Sequence, residues 1–170
     1  MKALIALEDG TLFEGRRKKK LATVDERGRK VLIDGGYTGR VEAVNRSLVE
    51  LLMSGGYLPV VSPVALSEEH ELLNIDGDRA AAALASGMSA DAVIFVTNVE
   101  GLMLDGRLVE NLPATEVQRA LPGIGFGMQK KVMAAADAVR QGVPRAIICS
   151  GTRQEPLTRA LALERCTVIR

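Results

Sequence analysis

VIFVT at residues 93–97 and RAIICS at residues 145–150 are two nearly continuous apolar runs. Such runs are typical of strands that are covered on both faces in a parallel sheet. Working outward, the Ala-rich stretch 79–85 and the stretch 132–141, which Gly142 follows, both predict helices. Strands that alternate with helices predict an α/β fold with a mostly parallel sheet flanked by helices.

Weaker signals complete the prediction along the chain. Asn45 is a good N-cap for a helix that ends at Gly55 and Gly56, with Leu48, Leu51 and Leu52 at helical spacing. The remaining predicted elements are a strand at 2–7, a hairpin at 21–33, a buried strand at 58–62, helices at 114–121 and 157–163, and a final strand at 167–169.

Composition indicates one soluble domain, residues 1–170, with 47% apolar and 25% charged residues. A net charge of +1 argues against a nucleic-acid-binding protein, which usually has a strongly basic face. The exception is the run Arg16, Arg17, Lys18, Lys19 and Lys20. This run is either a solvated edge or a contact surface for an acidic partner or for phosphates.

The cysteines and the first residues restrict the compartment. Cys149 and Cys166 have no metal-type spacing, and Cys149 stands in an apolar run as a small buried residue. The apolar run near the start ends at Glu8 and is too short for a signal peptide or a membrane span. A cytoplasmic protein is therefore expected.

Three polar clusters directly follow predicted strands, where α/β sheets bind ligands. In LNIDGDRAA, residues 73–81, the carboxylates of Asp76 and Asp78 either cap a helix or serve a site in which Asn74 binds substrate and Asp78 positions a catalytic cation. VTNVEGL, residues 96–102, is either a plain turn or a loop whose amides hold a nucleotide.

The third cluster is GIGFGMQKKV at residues 123–132. Its glycines let a backbone approach phosphates, the start of a helix favours anions, and Lys130 and Lys131 supply positive charge. The spacing matches neither a GxxxxGK[ST] loop nor a GxGxxG fingerprint, so neither a P-loop nor a Rossmann site is predicted.

The order of these motifs resembles the carboxyl-terminal, ATP-binding half of the amino acid kinase family, from about residue 9 onward. That resemblance implies a carbamate kinase-like fold that lacks the amino-terminal portion, because the family's Lys-x-Gly-Gly strand and Gly-Gly-Gly turn have no counterpart here. GTLFEGRRK (10–18) and DGGYTG (34–39) are similar to the family's kinases of aminoadipate or glutamate carried on the protein LysW. A free acceptor, as in N-acetylglutamate kinases, is the alternative, and so is an inactive nucleotide-binding fragment that needs a partner chain.

The resemblance also implies roles for single residues. Lys131 and Asp78 match catalytic positions, and Asn74 matches a substrate contact, to which we add Tyr37 and Thr38 as a hypothesis. Mg²⁺ would be held mainly by ATP rather than by a protein metal site. Full-length members are expected to form homodimers, and Arg16, Arg17 and Lys18 would contact the acidic carrier LysW. The expected ATP-binding residues are Asn98, Val99, Glu100, Gly101, Leu102, Met103, Gly123, Ile124 and Gly125.

Overall fold

A computed structural model of the protein describes residues 3–7 and 10–170. The chain forms two compact units that divide between Ala80 and Ala81, within one helix. In the described part of the chain, no helix is both long enough and apolar enough to cross a membrane.

The first unit is rich in strands. The strand predicted at the start is confirmed over Ala3–Leu7, while Lys2 lies outside the described residues. The elements of this unit are β1 (Ala3–Leu7), β2 (Phe13–Arg17), β3 (Lys20–Val24), β4 (Lys30–Asp34), β5 (Gly39–Val44), α1 (Arg46–Ser54), β6 (Tyr57–Val61), β7 (Val64–Leu66) and β8 (Leu72–Asn74).

Three strand arrangements make up this unit. One sheet has the order β5-β2-β7-β8, β1 pairs in parallel with β6, and β3 pairs with β4 as the predicted hairpin. The predicted cap of α1 is also confirmed, since the Asn45 Oδ1 accepts a hydrogen bond from the Leu48 amide at 3.2 Å. Helix α1 ends at Gly55, as its sequence predicts.

The prediction that β6 is buried was wrong. Leu58 and Val60 are 47% and 50% exposed, although the strand itself is present. Alternate side chains of a strand point to the same face, so these two share one face. That face of the two-stranded β1–β6 sheet is therefore open to solvent.

The second unit begins within α2 (Gly77–Gly87) and contains a central mixed sheet. Its order is β12-β14-β13-β9, in which β13 runs parallel to β9 and antiparallel to β14, so the α/β prediction is confirmed with strands of both directions. The further elements are β9 (Val93–Thr97), β10 (Met103–Leu104), β11 (Arg107–Leu108), β12 (Asn111–Leu112), α3 (Val117–Ala120), α4 (Phe126–Arg140), β13 (Ala146–Ser150), α5 (Pro156–Leu161) and β14 (Thr167–Ile169).

A dense core surrounds β13, in which every residue is buried. Helix α4 adds fully buried alanines, which allow it to lie close to the sheet, and α2 adds Ala82 and Ala85. The expectation of a buried Cys149 is confirmed, and Cys166 is buried as well. Burial raises the pKa of both thiols above the ordinary value.

Helix α4 starts at Phe126, six residues before the predicted start at Val132, and this is a correction. Gly127, in the first turn of α4, hides the helical pattern in the sequence, because glycine is a poor helix former. The predicted end is confirmed: Gly142 follows the helix with a φ of +101°, a conformation that glycine adopts without strain.

Candidate functional site

The start of α4 is open to a ligand. Gly125 precedes the helix in an extended conformation and, because it has no side chain, does not itself cap the first-turn amides. A Cβ at Gly125 or Gly127 would meet no atom within 4 Å, so neighbouring atoms do not force glycine at either position. The exposed backbone and the positive end of the helix dipole together favour an anion.

Gln129 holds the glycine loop against this helix. Its Nε2 donates hydrogen bonds to the carbonyls of Leu121, at 3.0 Å, and Ile124, at 2.7 Å. Ile124 is 5% exposed, so its side chain anchors the loop in the core and only its backbone can face a nucleotide. The sequence motif GMQKK contains Gln129, but nothing in the sequence alone assigns it this role.

Lys131 lies over the sheet. It is half-buried on α4, and its Nζ is 5.6 Å from the ring centroid of Phe95 on β9. A cation over an aromatic face is attracted by the electrons of the ring. Lys130, by contrast, is exposed, so of the two adjacent lysines it is Lys131 that the fold holds at the sheet.

The loop after β9 contains the other candidate nucleotide contacts. Asn98, Val99 and Met103 are exposed, whereas Leu102 is fully buried. A Cβ at Gly101 would stand 2.6 Å from the Thr167 Oγ1, so only glycine fits at this position. The predicted residues of this loop therefore divide into exposed ones that a ligand could reach and buried ones that anchor the loop.

The Glu100 carboxylate is engaged within the protein. It forms ion pairs with Arg153 and with Arg165, the latter at 2.9 Å. Sequence reasoning missed both arginines, because they lie 53 and 65 residues away from Glu100 along the chain.

In the first unit, β8 brings Asn74 to the surface. Leu73 and Ile75 are buried and Asn74 between them is exposed, as strand alternation requires. The Asp76 Oδ1 accepts a hydrogen bond from the Arg79 amide at 3.1 Å, so Asp76 caps α2. Asp78 lies in the first turn of that helix and is half-buried.

The three predicted substrate contacts are neighbours. Thr38 and Asn74 form a parallel β-bridge, and the Asn74 amide donates to the Tyr37 carbonyl at 2.8 Å. Tyr37 is 61% exposed. The DGGYTG stretch and the end of β8 therefore form one surface, which we call the Tyr37–Asn74 surface.

Arg17 supports this surface. Its Nε donates to the Gly36 carbonyl at 2.6 Å, its guanidinium lies 5.0 Å from the Tyr37 ring centroid, and it pairs with Glu71 at 3.4 Å. A Cβ at Gly35 would overlap the Lys18 carbonyl oxygen, at 1.7 Å, so the close approach of the two segments requires glycine.

The basic run borders a groove of about 660 Å³ with mixed charge. Arg16, Arg17 and Lys19 line it together with five carboxylates, and Arg16 pairs with Glu42 at 3.1 Å. The pKa of Glu69 is lowered by hydrogen bonds from its own backbone amide and from Ser67. The nearby positive charges of Arg16 and Arg17 lower this pKa further. Lys18 is half-buried. The first two cations of the run thus already pair with glutamates of the same unit, and Arg16 shares Glu42 with Arg40.

No group of three or more His, Cys, Asp or Glu side chains suited to a metal ion occurs within residues 3–7 and 10–170.

The sequence profile of the amino acid kinase family matches residues 6–150. A Cenarchaeum symbiosum protein with the provisional name LysW-aminoadipate/LysW-glutamate kinase is 52% identical over 161 residues, which are 95% of this chain and 60% of that relative. The LysW-aminoadipate/LysW-glutamate kinase of Sulfurisphaera tokodaii is 42% identical over 162 residues, 95% of this chain and 62% of the relative. The chain belongs to the amino acid kinase family, and it spans about 60% of the length of these curated relatives.

Solved structures show the same fold. N-acetylglutamate synthase from Neisseria gonorrhoeae, complexed with coenzyme A and N-acetyl-glutamate, superposes with a TM-score of 0.79 at 23% identity, over 98% of this chain and 37% of that one. Carbamate kinase from Giardia lamblia bound to AMP-PNP superposes with a TM-score of 0.65 at 20% identity, over 88% of this chain and 51% of the other. The expected carbamate kinase-like fold is therefore confirmed.

Proposed function

We propose that this chain is the ATP-binding part of a kinase that phosphorylates the side-chain carboxylate of 2-aminoadipate or glutamate carried on LysW, in lysine or arginine biosynthesis. The observation that carries the proposal is the open glycine loop before α4, held by Gln129 and followed by Lys131. The names of the relatives at 52% and 42% identity support the acceptor. As a whole, residues 1–170 would correspond to the nucleotide-binding half of the enzyme.

Phosphoryl transfer depends mainly on positioning and on electrostatic stabilisation. The α4 amides and the backbone of residues 123–125 suit the phosphates of ATP, since nothing crowds Gly125 and Gly127. The exposed Asn98, Val99 and Met103 would contact the rest of the nucleotide. Mg²⁺ bound to the phosphates would neutralise part of their charge. Lys131 would stabilise negative charge on the transferred group.

On the acceptor side, the Tyr37–Asn74 surface presents the side-chain amide of Asn74, the hydroxyl of Thr38 and the exposed phenol of Tyr37. Backbone hydrogen bonds hold these residues next to one another. These groups can donate hydrogen bonds to a carboxylate. Asp78, which is half-buried in the first turn of α2, is the proposed second catalytic residue, because it matches the family's catalytic aspartate.

The acidic carrier would contact Arg16, Arg17 and Lys18. Because Arg16 and Arg17 pair with Glu42 and Glu71, the carrier's carboxylates would have to replace these partners. The contribution of this contact should weaken as the salt concentration rises, since partly exposed charges are screened. Reversing the charge of Arg16 should raise the KM for the carried substrate and leave turnover of a free acceptor unchanged. Arg17 is kept in this test because it also supports the Tyr37–Asn74 surface.

The first experiment measures nucleotide binding and phosphoryl transfer. Binding of Mg²⁺–AMP-PNP by calorimetry is compared for the natural chain, Lys131→Met and Lys130→Met, and transfer is followed with LysW-aminoadipate, LysW-glutamate and N-acetylglutamate. Lys131→Met should lower turnover by about 10²–10³-fold, because it removes a group that stabilises the transition state. The exposed Lys130 is the matched control, with less than about threefold change expected. Equal effects of the two substitutions would contradict the role of Lys131.

A second candidate is a nucleotide-binding chain that is inactive without a partner. It is favoured by the share of the relatives' length that the chain spans, about 60%. Adding the non-matching portion of the Sulfurisphaera tokodaii relative as a separate polypeptide distinguishes the two. Nucleotide binding by the chain alone, with transfer only after this addition, supports the second candidate. Preference for N-acetylglutamate would indicate a free acceptor instead of one carried on LysW.

A further inference from the structure

Glu100 connects three segments of the second unit. It lies in the loop that follows β9, whereas Arg153 lies between β13 and α5 and Arg165 between α5 and β14. Both guanidinium groups reach its carboxylate. One side chain therefore joins the candidate nucleotide loop to the two connections on either side of α5.

The Glu100–Arg153 ion pair is partly buried, whereas Arg165 is mostly exposed. The side chains of Arg153 and Glu100 are 25% and 35% exposed, and that of Arg165 is 67% exposed. A carboxylate that accepts from two guanidinium groups is fixed in direction more firmly than one in a single exposed pair.

A second tether holds the same loop. The Thr167 Oγ1 accepts a hydrogen bond from the Leu102 amide at 2.8 Å, and both residues are fully buried. Thr167 is two residues beyond Arg165, so the turn that leads into β14 holds the loop at two points. The residues before these anchors, Asn98 and Val99, remain exposed.

We propose that Glu100 is a positioning residue for the nucleotide loop: through Arg153 and Arg165 it fixes residues 98–102 so that Asn98 and Val99 face the nucleotide, and it does not itself contact the nucleotide. This inference rests on the proposed function, since it takes the loop as part of the ATP site.

The test uses Glu100→Gln, which keeps the size of the side chain and removes its charge. Amide hydrogen exchange of residues 99–102 is measured in the free chain, and binding of Mg²⁺–AMP-PNP is measured by calorimetry. Loosening the bridge should speed exchange at these amides by about fivefold and weaken binding by a similar factor, as suits a partly exposed pair. Exposed Glu116, which makes no side-chain cap on α3, provides the control Glu116→Gln, with no change expected.

Arg153→Gln provides an independent test of the same proposal. If Glu100 acts through Arg153, adding Glu100→Gln to Arg153→Gln should change exchange and affinity by less than the two single effects combined, because the pair is already broken. Strictly additive effects would overturn the proposal.

The other outcomes also decide. Weaker AMP-PNP binding by Glu100→Gln with unchanged exchange in the free chain would mean that Glu100 contacts the nucleotide, which overturns the positioning role. Unchanged exchange and unchanged affinity overturn it too. If the natural chain does not bind AMP-PNP, the proposed function fails, while faster exchange in Glu100→Gln still establishes the tether.

Discussion

The two units differ in how well they enclose their apolar side chains. After Ala80, Ile147 and Ile148 of β13 are fully inaccessible, and α4 packs its alanines against the same sheet. Before Ala81, β6 leaves Leu58 and Val60 about half exposed, and Leu51 of α1 is 68% exposed. The candidate nucleotide loops belong to the unit with the closed core, and the Tyr37–Asn74 surface belongs to the unit with an open sheet face.

This difference has a functional consequence. A site on a closed core is held in place by its own unit, as Gln129 and Thr167 illustrate. We therefore expect nucleotide binding to be a property of the chain by itself, because the closed core of the second unit holds the loops. The chain offers natural probes: both tyrosines, Tyr37 and Tyr57, lie in the first unit, both cysteines lie in the second, and there is no tryptophan.

The largest expected effect compares two strand valines. Val168→Ala shortens a side chain that is 4% exposed, and Val60→Ala shortens one that is 50% exposed. The buried truncation should lower the free energy of unfolding by about 2–3 kcal/mol, through lost burial and a residual cavity. The exposed truncation should cost less than about 1 kcal/mol.

Urea unfolding measures both changes, followed by tyrosine fluorescence for the first unit and by thiol labelling of Cys149 and Cys166 for the second. Because both thiols are buried and burial raises their pKa, they should react only after the second unit opens. Equal losses of stability in the two variants would contradict the contrast between the units.

Local signals made much of the fold predictable. Strand β9 was predicted at its observed bounds, and β13 to within one residue, because a continuous apolar run needs no distant information. The cap of α1 follows from Asn45 itself, whose side chain bonds three residues onward. The three substrate candidates, taken from two separate stretches of sequence, also lie side by side.

Contacts between distant residues were not predictable from one sequence. The Glu100–Arg165 pair and the bond from Leu102 to Thr167 each join residues 65 positions apart, and no local pattern marks them. The exposure of β6 depends on what packs against its faces, which an apolar run does not reveal. The early start of α4 was missed for a local reason, since Gly127 interrupts the helical pattern.

A smaller effect is expected at the helix that spans the boundary between the units. Asp76 caps α2 in the first unit, while Ala82 and Ala85 of the same helix lie in the core of the second. Asp76→Ala should lower stability by about 1 kcal/mol, as loss of an N-cap usually does. Exposed Asp91 is the control, with Asp91→Ala expected to change little. A shift seen by the tyrosines alone would show that the cap serves only the first unit; an equal shift of the thiol probe would show that α2 couples both.

The smallest effect concerns the β3–β4 hairpin at low pH. The backbone amide of Arg29 donates to Asp25 at 2.8 Å and lowers the pKa of this carboxyl below its ordinary value, aided by the Arg29 side chain and the Arg27 amide. Since the folded pKa is the lower one, the stabilisation is complete above about pH 3.9, the usual value for an unfolded Asp, and is lost as the pH falls through the folded pKa. Exchange of the Arg29 amide should therefore become less protected at acidic pH in the natural chain, and Asp25→Asn should remove this dependence while the neighbouring control Glu26→Gln keeps it. Because the effect is confined to one exposed hairpin, amide exchange of the buried strand β13 should stay protected over the same range, and a parallel loss of that protection would show that the closed core of the second unit depends on the first.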